Sequence, residues 1–395
     1  MKKVLSLVLA VLMILTAVSA LAEIPKLTEE PLEILLWDIA TEDPTKSIQE
    51  GAVARFMADY PNITVTQVHQ QNDNYKQQLV VAMSAQQAPD MYIHWGGGPM
   101  AEYYKSGFVN DITELYNTYD HPDFIDAAVA QASYDGKVLA IPFGGLSGCD
   151  IFYNKTIFDE LGLECPTTWT ELTEASKKIY EAKGIPGFAF DSLTDGFQTL
   201  LLQSGGEYVD VENKKVLFNT PEFEAIVEWF AEGVQAGYFG LAPTTGNYFS
   251  NDMGAKALAS YVGSSAGLPY LNLGDDELAA APMPKTEGGV DWVPGWNRSA
   301  LIFASNPAQE KAAVEFIEFF TSPENAAKWA TSLVAFTPYS DAAELPEFKE
   351  FVASNIALAA LGEQLDYAYV LPAFTGANTV RNELKFLVQR AASGQ

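Results

Sequence analysis

Three histidines, two cysteines and a surplus of acids make up the reactive inventory of this chain, and most enzyme chemistries fail on it. His69, His94 and His121 are the only histidines. The run Gly263-Ser264-Ser265-Ala266-Gly267 matches the Gly-x-Ser-x-Gly turn of a nucleophilic serine, but that arrangement needs a later histidine, and none follows His121. Ser265 is therefore expected to be a loop serine. No histidine pair has zinc-helix spacing, and no Gly-Lys-Ser/Thr phosphate loop occurs. Cys149 and Cys165 are too few for a metal site. A bridge between them is open in an oxidising compartment, although Cys149 opens a strand and Cys165 precedes a helix, which disfavours it. No catalytic residue, metal or cofactor is expected.

Two chemistries remain that need only common side chains. Glycoside hydrolysis requires two carboxylates flanking a cleft, and Asp38, Glu42, Asp90, Asp150, Asp191 and Asp195 are of the right type. With 51 acids in the chain, type alone selects none of them. Sugar binding asks for a different mixture. An aromatic face covers the C–H surface of a pyranose, while carboxylates, amides and arginine satisfy its hydroxyls. Trp37 with Asp38, Trp95, and Trp296 with Asn297 and Arg298 supply that mixture.

The elements that position these residues alternate. Leu32 to Trp37 reads as an apolar strand, followed by a helix with Ile48, Ala52, Val53, Phe56 and Tyr60 on one face. Ile63 to Val68 alternates as a strand, a second helix carries Tyr75, Leu79, Ala82 and Met83, and Met91 to Ile93 is a third strand. Strands alternating with helices imply an α/β fold with largely parallel sheets, whose ligands sit beyond the carboxyl ends of the strands. The loops there begin at Trp37-Asp38 and at His94-Trp95-Gly96-Gly97-Gly98. Further along, Asp135-Gly136 is a tight-turn pair. Val138 to Ile141 reads as a short strand, Gly144, Gly145 and Gly148 as loosened backbone, and Cys149 to Tyr153 as another strand. Thr168-Trp169-Thr170-Glu171 fits a capping box, and Pro221 suits a first helical turn. Pro294 to Arg298 reads as a polar, aromatic loop before the strand Ala300 to Phe303. Val334 to Tyr339 reads as a third crossing between lobes, ahead of helices at 346–361 and 376–391.

Composition bounds the setting. Lys2 and Lys3, the apolar run Val4 to Val18 and Ala20-Leu21-Ala22 read as a secretory signal over residues 1–22, with the apolar run short for a bilayer span of roughly 20 residues. Removal leaves about 370 residues, more than one core usually organises, so two lobes are expected. The balance of 23 basic and 51 acidic residues gives −28, which repels nucleic acid and anionic membranes. No membrane insertion of the mature chain is expected.

Several landmarks recur in an order that carries more weight than any one of them. Phe56 with Tyr60-Pro61-Asn62-Ile63-Thr64-Val65, Ala88-Pro89-Asp90, Gly107-Phe108-Val109-Asn110-Asp111, Asp135-Gly136-Lys137 through Pro142, Tyr153-Asn154-Lys155, Pro166-Thr167-Thr168-Trp169, Asn219-Thr220-Pro221-Glu222 and Pro282-Met283-Pro284 stand in sequence. Together they resemble family 1 extracellular solute-binding proteins of ABC importers, of the carbohydrate type similar to maltodextrin- and multiple-sugar-binding proteins. The resemblance implies a two-lobed periplasmic-binding-protein-like fold, each lobe a mostly parallel sheet flanked by helices, with three interlobe crossings. It implies lobe I at residues 32–143 and 296–336, lobe II at 144–295, and C-terminal helices at 337–395 mainly on lobe II. It also places Asp191 and Asp195 in a second-lobe loop facing the cleft. The expected site is Trp37, Asp38, Trp95, Asp191, Trp296, Asn297 and Arg298.

The implied function is capture of a sugar or short oligosaccharide for delivery to permease subunits of an importer, by a secreted, monomeric, non-enzymatic protein of the periplasm or cell exterior. The alternatives are a binder of a polyamine, peptide or oxyanion, a sensor module without a permease, or a secreted glycoside hydrolase. One departure bears on the ligand: Ser265 stands where family members often carry a sugar-stacking tryptophan. The chain also stops at Gln395, where the family commonly adds a helix.

Overall fold

The computed structural model describes residues 28, 30–95, 98–118, 123, 124, 126–245, 248–303, 306–369, 374 and 376–395. The expected signal segment lies outside these residues, as do Gly96, Gly97 and His121. Among the described residues, no helix is long and apolar enough to cross a membrane.

The first half follows the alternation read from the sequence. Strand β1 (Leu32–Asp38), helix α1 (Thr45–Asp59), strand β2 (Ile63–His69), helix α2 (Asn72–Ser84) and strand β3 (Met91–His94) succeed one another, and β1 pairs in parallel with both β2 and β3. The period of two along a strand divides β1 between two cores. Ile34 and Leu36 join Phe56, Val65 and Ile93 in one cluster, whereas Trp37 packs with Tyr75, Leu79 and Tyr92 in another.

Long strands then join this half to the next. Strand β4 (Ala140–Asn154) runs unbroken for 15 residues, and the chain continues through α3 (Trp169–Lys183), β5 (Phe188–Phe190), α4 (Leu193–Gln203), α5 (Pro221–Gln235), β6 (Phe239–Gly240), β7 (Ser260–Ser264) and β8 (Leu278–Pro282). It returns along β9 (Val293–Ile302), enters α6 (Pro307–Phe320) and α7 (Pro323–Ser332), and ends through β10 (Ala368–Tyr369) and α8 (Ala377–Ala392). The strand order is β6-β5-β7-β4-β9-β3-β1-β2, with β8 on β4 and β10 on β9. Each outer trio, β6-β5-β7 and β3-β1-β2, is parallel. Within this sheet, antiparallel pairing among the described residues is confined to partners of the long strands β4 and β9.

Two local readings are corrected here. The glycines at 144, 145 and 148 do not loosen a loop; they lie within β4. A Cβ on Gly144 would come within 2.4 Å of Arg298 Cβ, one on Gly145 within 2.3 Å of Ala335 Cβ, and one on Gly148 within 2.6 Å of a Leu361 methyl. Their role is to let neighbouring chain approach closely. Likewise Pro294 to Arg298 is strand, not loop, because Gly295, Trp296 and Asn297 pair with Gly148, Ser147 and Leu146. The register slips between Asn297 and Ser299, so the irregularity lies at Arg298. A third segment lies alongside, where Leu146 and Phe336 exchange backbone hydrogen bonds of 2.7 and 3.0 Å.

Other local signals hold. Asp135 and Gly136 have φ of 53° and 72° in the turn of a small hairpin, Ser133–Tyr134 with Lys137–Val138. Thr168 and Glu171 form both bonds of a capping box, and Pro221 opens its helix. The second half has its own aromatic core of Trp169, Phe188, Phe190, Phe197 and Phe230, closed by Leu384 and Val388 of α8. Cys149 and Cys165 are both free thiols.

Candidate ligand-binding cleft

The carboxyl ends of β1, β2 and β3 deliver Trp37-Asp38, His69 to Gln71, and His94-Trp95 to the same edge of the first half. In the second half, the carboxyl ends of the parallel strands β5 and β7 lead into the loop that begins at Asp191 and the 3-10 turn Ser265–Tyr270. Hydrogen bonds span the gap. Gln71 Nε2 donates to the Tyr248 hydroxyl at 3.0 Å, and the Gly376 backbone N–H donates to Glu102.

Trp37 and Trp95 both pack against the cluster built on Tyr75, Leu79 and Tyr92. Tyr75 meets the Trp95 ring edge-on at 6.3 Å, and the Lys76 ammonium lies 4.8 Å from the Trp95 centroid. Among the described residues the Trp37 indole nitrogen is buried without a hydrogen-bond partner, as are His94 Nδ1 and Ser299 Oγ. Burial pushes the His94 imidazole down to about 3, helped by the nearby Lys76 charge.

Asp38 has an inward role. It is fully buried, and its oxygens meet Ala40 N at 2.7 Å, His69 Nδ1 at 2.7 Å and Gln49 Nε2 at 2.9 Å. The bond to Asp38 is the main reason the His69 imidazole is pushed up. Asp38 therefore orients the loop after β1, with its carboxylate spent within the protein.

Arg298 projects from the irregular point of β9, its stem against Gly144. Among the described residues its guanidinium makes no hydrogen bond and no ion pair. Desolvation brings it down to about 10, against the opposing influence of Tyr270, Asp38 and Tyr75. Those neighbours set it between the two halves.

The remaining expected residues scatter. Trp296 lies in a strand and packs on the second-half core with Cys149, Ile151 and Val293, apart from the cluster that holds Trp37 and Trp95. The backbone of Asn297 pairs with Leu146, and its side chain is outside the described part. Asp191 accepts from Phe249 N at 3.2 Å and so braces the segment that presents Tyr248. Asp195 is bound to Arg381 of α8 at 3.0 Å. Asp90 accepts from Leu35 N at 2.8 Å, and Asp150 from Gln364 at 2.9 Å. Ser265 is fully buried.

The sequence does not single out Gln71, Tyr75, Lys76, Glu102 and Tyr270 as site residues, and it offers Tyr75 only as part of a helix face. Only the position of Gln71, just past an alternating strand, offered a signal. Two surface cavities of about 430 and 440 Å³ lie elsewhere, against the hairpin at 209–216 and between Pro44, Pro269 and Phe351, and neither is lined by the seven expected residues.

The family model for bacterial extracellular solute-binding proteins matches residues 51–360. The chain belongs to that family. This solute-binding protein is 23% identical over 346 residues to the maltotriose-binding protein of Pyrococcus abyssi, a match covering 86% of this chain and 73% of that one. Its fold is that of the ABC substrate-binding protein Lmo0181 from Listeria monocytogenes, solved with cycloalternan, with a TM-score of 0.80 at 18% identity over 92% of this chain and 94% of that one. The GacH receptor of Streptomyces glaucescens GLA.O, solved unliganded and with acarbose, matches this solute-binding protein with a TM-score of 0.79 at 20% identity, over 93% of this chain and 94% of that one.

Proposed function

We propose that this protein captures a sugar or short oligosaccharide between its two halves and hands it to the permease subunits of a membrane ABC importer. The observation that carries the reading is the convergence of Trp37 and Trp95 on one aromatic cluster at the carboxyl ends of parallel strands, where Gln71 bonds Tyr248 and Arg298 feels Tyr270 of the other half. Aromatic faces of this kind cover pyranose rings, and the names of the maltotriose-, cycloalternan- and acarbose-bound relatives favour the same ligand class. Ligand contact is assigned to Trp37, Trp95 and Arg298, with Trp296 and Asn297 on the adjoining strand. Asp38 and Asp191 act as positioning residues.

The lobes divide at three crossings, β4, β9 and the segment around Phe336, with lobe I at 32–143 and 296–336, and lobe II at 144–295 joined by most of 337–395. The protein works as a secreted monomer held at the cell envelope through its transporter, and it performs no covalent chemistry. Closure draws on differential affinity for the closed arrangement. A micromolar complex is worth about −8 kcal/mol, within reach of a few stacked rings and paired hydroxyls.

A thermal-shift screen against mono- and oligosaccharides, polyamines and amino acids tests the reading, since a ligand in excess of its dissociation constant raises the melting temperature. A shift with a carbohydrate, abolished in Trp37→Ala with Trp95→Ala, is expected. Shifts with polyamines or amino acids alone would sink it, and release of reducing sugar by the purified protein would move it to the hydrolases.

A further inference from the structure

The cleft edge of the first half has donors without acceptors. Arg298 carries five N–H donors and meets neither a carboxylate nor a carbonyl among the described residues. The Trp37 indole N–H, a donor only, is likewise buried and unpartnered. Lys76 adds a second cation beside Trp95.

The acids nearby do not answer the Arg298 charge. Asp38 is engaged by Ala40, His69 and Gln49, Glu50 faces His69 and Lys46, and Glu102 receives Gly376 N–H. Tyr75, the phenol beside Arg298, already donates its hydroxyl to the Ile93 carbonyl.

Neutral sugar hydroxyls both donate and accept, so a site built for them alone gains from free acceptors as well as donors. A site with a half-buried guanidinium that meets no acceptor among the described residues gains most from an acceptor-only group. Carboxylate and phosphate oxygens match the planar guanidinium fork, and such charge-assisted pairs are about twice as strong as neutral ones.

Building on the sugar-binding reading, we infer that the natural ligand is an acidic sugar whose carboxylate or phosphate docks on Arg298. The overall charge of −28 works against the approach of such a ligand at long range, while the fit is local. Association of the acidic ligand should therefore quicken as salt screens that repulsion, over a Debye length of about 10 Å at 0.1 M.

The test is calorimetric titration of the whole mature protein with maltotriose and xylotriose as neutral probes, trigalacturonate and glucose 1-phosphate as acidic ones, and inorganic phosphate as a bare anion. At least one acidic sugar should bind about 30-fold or more tighter than either neutral one. Arg298→Gln should cost that ligand about 30- to 1,000-fold, the range for removing one partner of a charged pair, and cost the neutral sugars at least about 10-fold less. Should Arg298→Gln not fold, Arg298→Lys keeps the charge, loses the fork and should give an intermediate loss. Which acidic probe wins separates carboxylate from phosphate.

Tighter binding of a neutral sugar, equal losses for both classes on Arg298→Gln, or no binding of any acidic probe overturns the inference while leaving sugar capture standing. Binding of inorganic phosphate alone, lost in Arg298→Gln, would keep the anion site and sink the sugar reading.

Discussion

Each half of the sheet buries an aspartate completely, and the two are supplied very differently with hydrogen bonds. Asp38, at the end of β1, meets three donors from Ala40, Gln49 and His69. Asp150, inside β4, accepts one side-chain bond from Gln364, and its Oδ2 has no partner. Burial pushes the Asp150 carboxyl well above its ordinary range, against the lowering influence of Gln364. Equal burial thus yields an anchor in one place and a liability in the other. What a buried acid does for stability is decided by its donors.

The largest effect expected from breaking this contrast is at Asp38. Asp38→Ala leaves the Gln49 amide, the His69 ring and the Ala40 N–H without their acceptor, and should cost about 3 kcal/mol in urea unfolding at pH 7. A loss under about 1 kcal/mol would mean the three bonds do not act as an anchor.

The histidines flanking this anchor oppose one another. His94 has its folded pKa lowered to about 3, so the folded state binds fewer protons and loses stability as pH falls below the unfolded value of about 6.5. By pH 5 that loss is about 2 kcal/mol, and a His94→Gln variant should lack it. His69 is raised, so its contribution is complete below the unfolded value and disappears as pH rises through the folded one. The stability deficit of His69→Asn should therefore be larger at pH 6 than at pH 9. Parallel stability curves for wild type and both variants would refute the pair.

A smaller gain is expected at Asp150. Asp150→Asn keeps an acceptor for Gln364 and removes a carboxyl whose charged form burial disfavours, so it should stabilise the protein by about 1 to 2 kcal/mol at pH 7. Because the folded carboxyl is raised, its cost grows as pH rises above the unfolded value, and the gain should vanish near pH 4. Equal gains at both pH values would show that packing, not ionisation, is responsible.

The smallest effect concerns closure. Gln71→Ala removes one hydrogen bond across the cleft and should weaken ligand binding about 3- to 10-fold with the melting temperature of the free protein unchanged. An unaltered affinity would show that the Gln71–Tyr248 contact contributes nothing to the bound state.

Much of the fold was legible because its signals are local. A strand of alternating apolar residues, the Asp135-Gly136 turn and the Thr168 capping box need only neighbours a few residues away. Of the candidate site, the strand-end positions of Trp37 and Trp95 were legible, whereas the inward bonds of Asp38 were not, since Gln49 and His69 arrive from α1 and β2. The glycines of β4 misled for the same reason. Their meaning lies in Arg298, Ala335 and Leu361, each more than 150 positions away.

The chain's sequence by itself determined the alternating strands and helices, the absence of nucleophile and metal motifs, and the ordered landmarks of a solute-binding protein, because period, turn chemistry and residue type act at short range. Only the tertiary structure decided which polar groups face one another: Asp38 met Ala40, Gln49 and His69, Asp191 met Phe249 N, Gln71 reached Tyr248, and Arg298 was left without an acceptor among the described residues. Those outcomes depend on strand register and on contacts spanning 177 positions in one case and 274 in another. A change of one residue in register reverses which face a side chain occupies, and no local pattern encodes it.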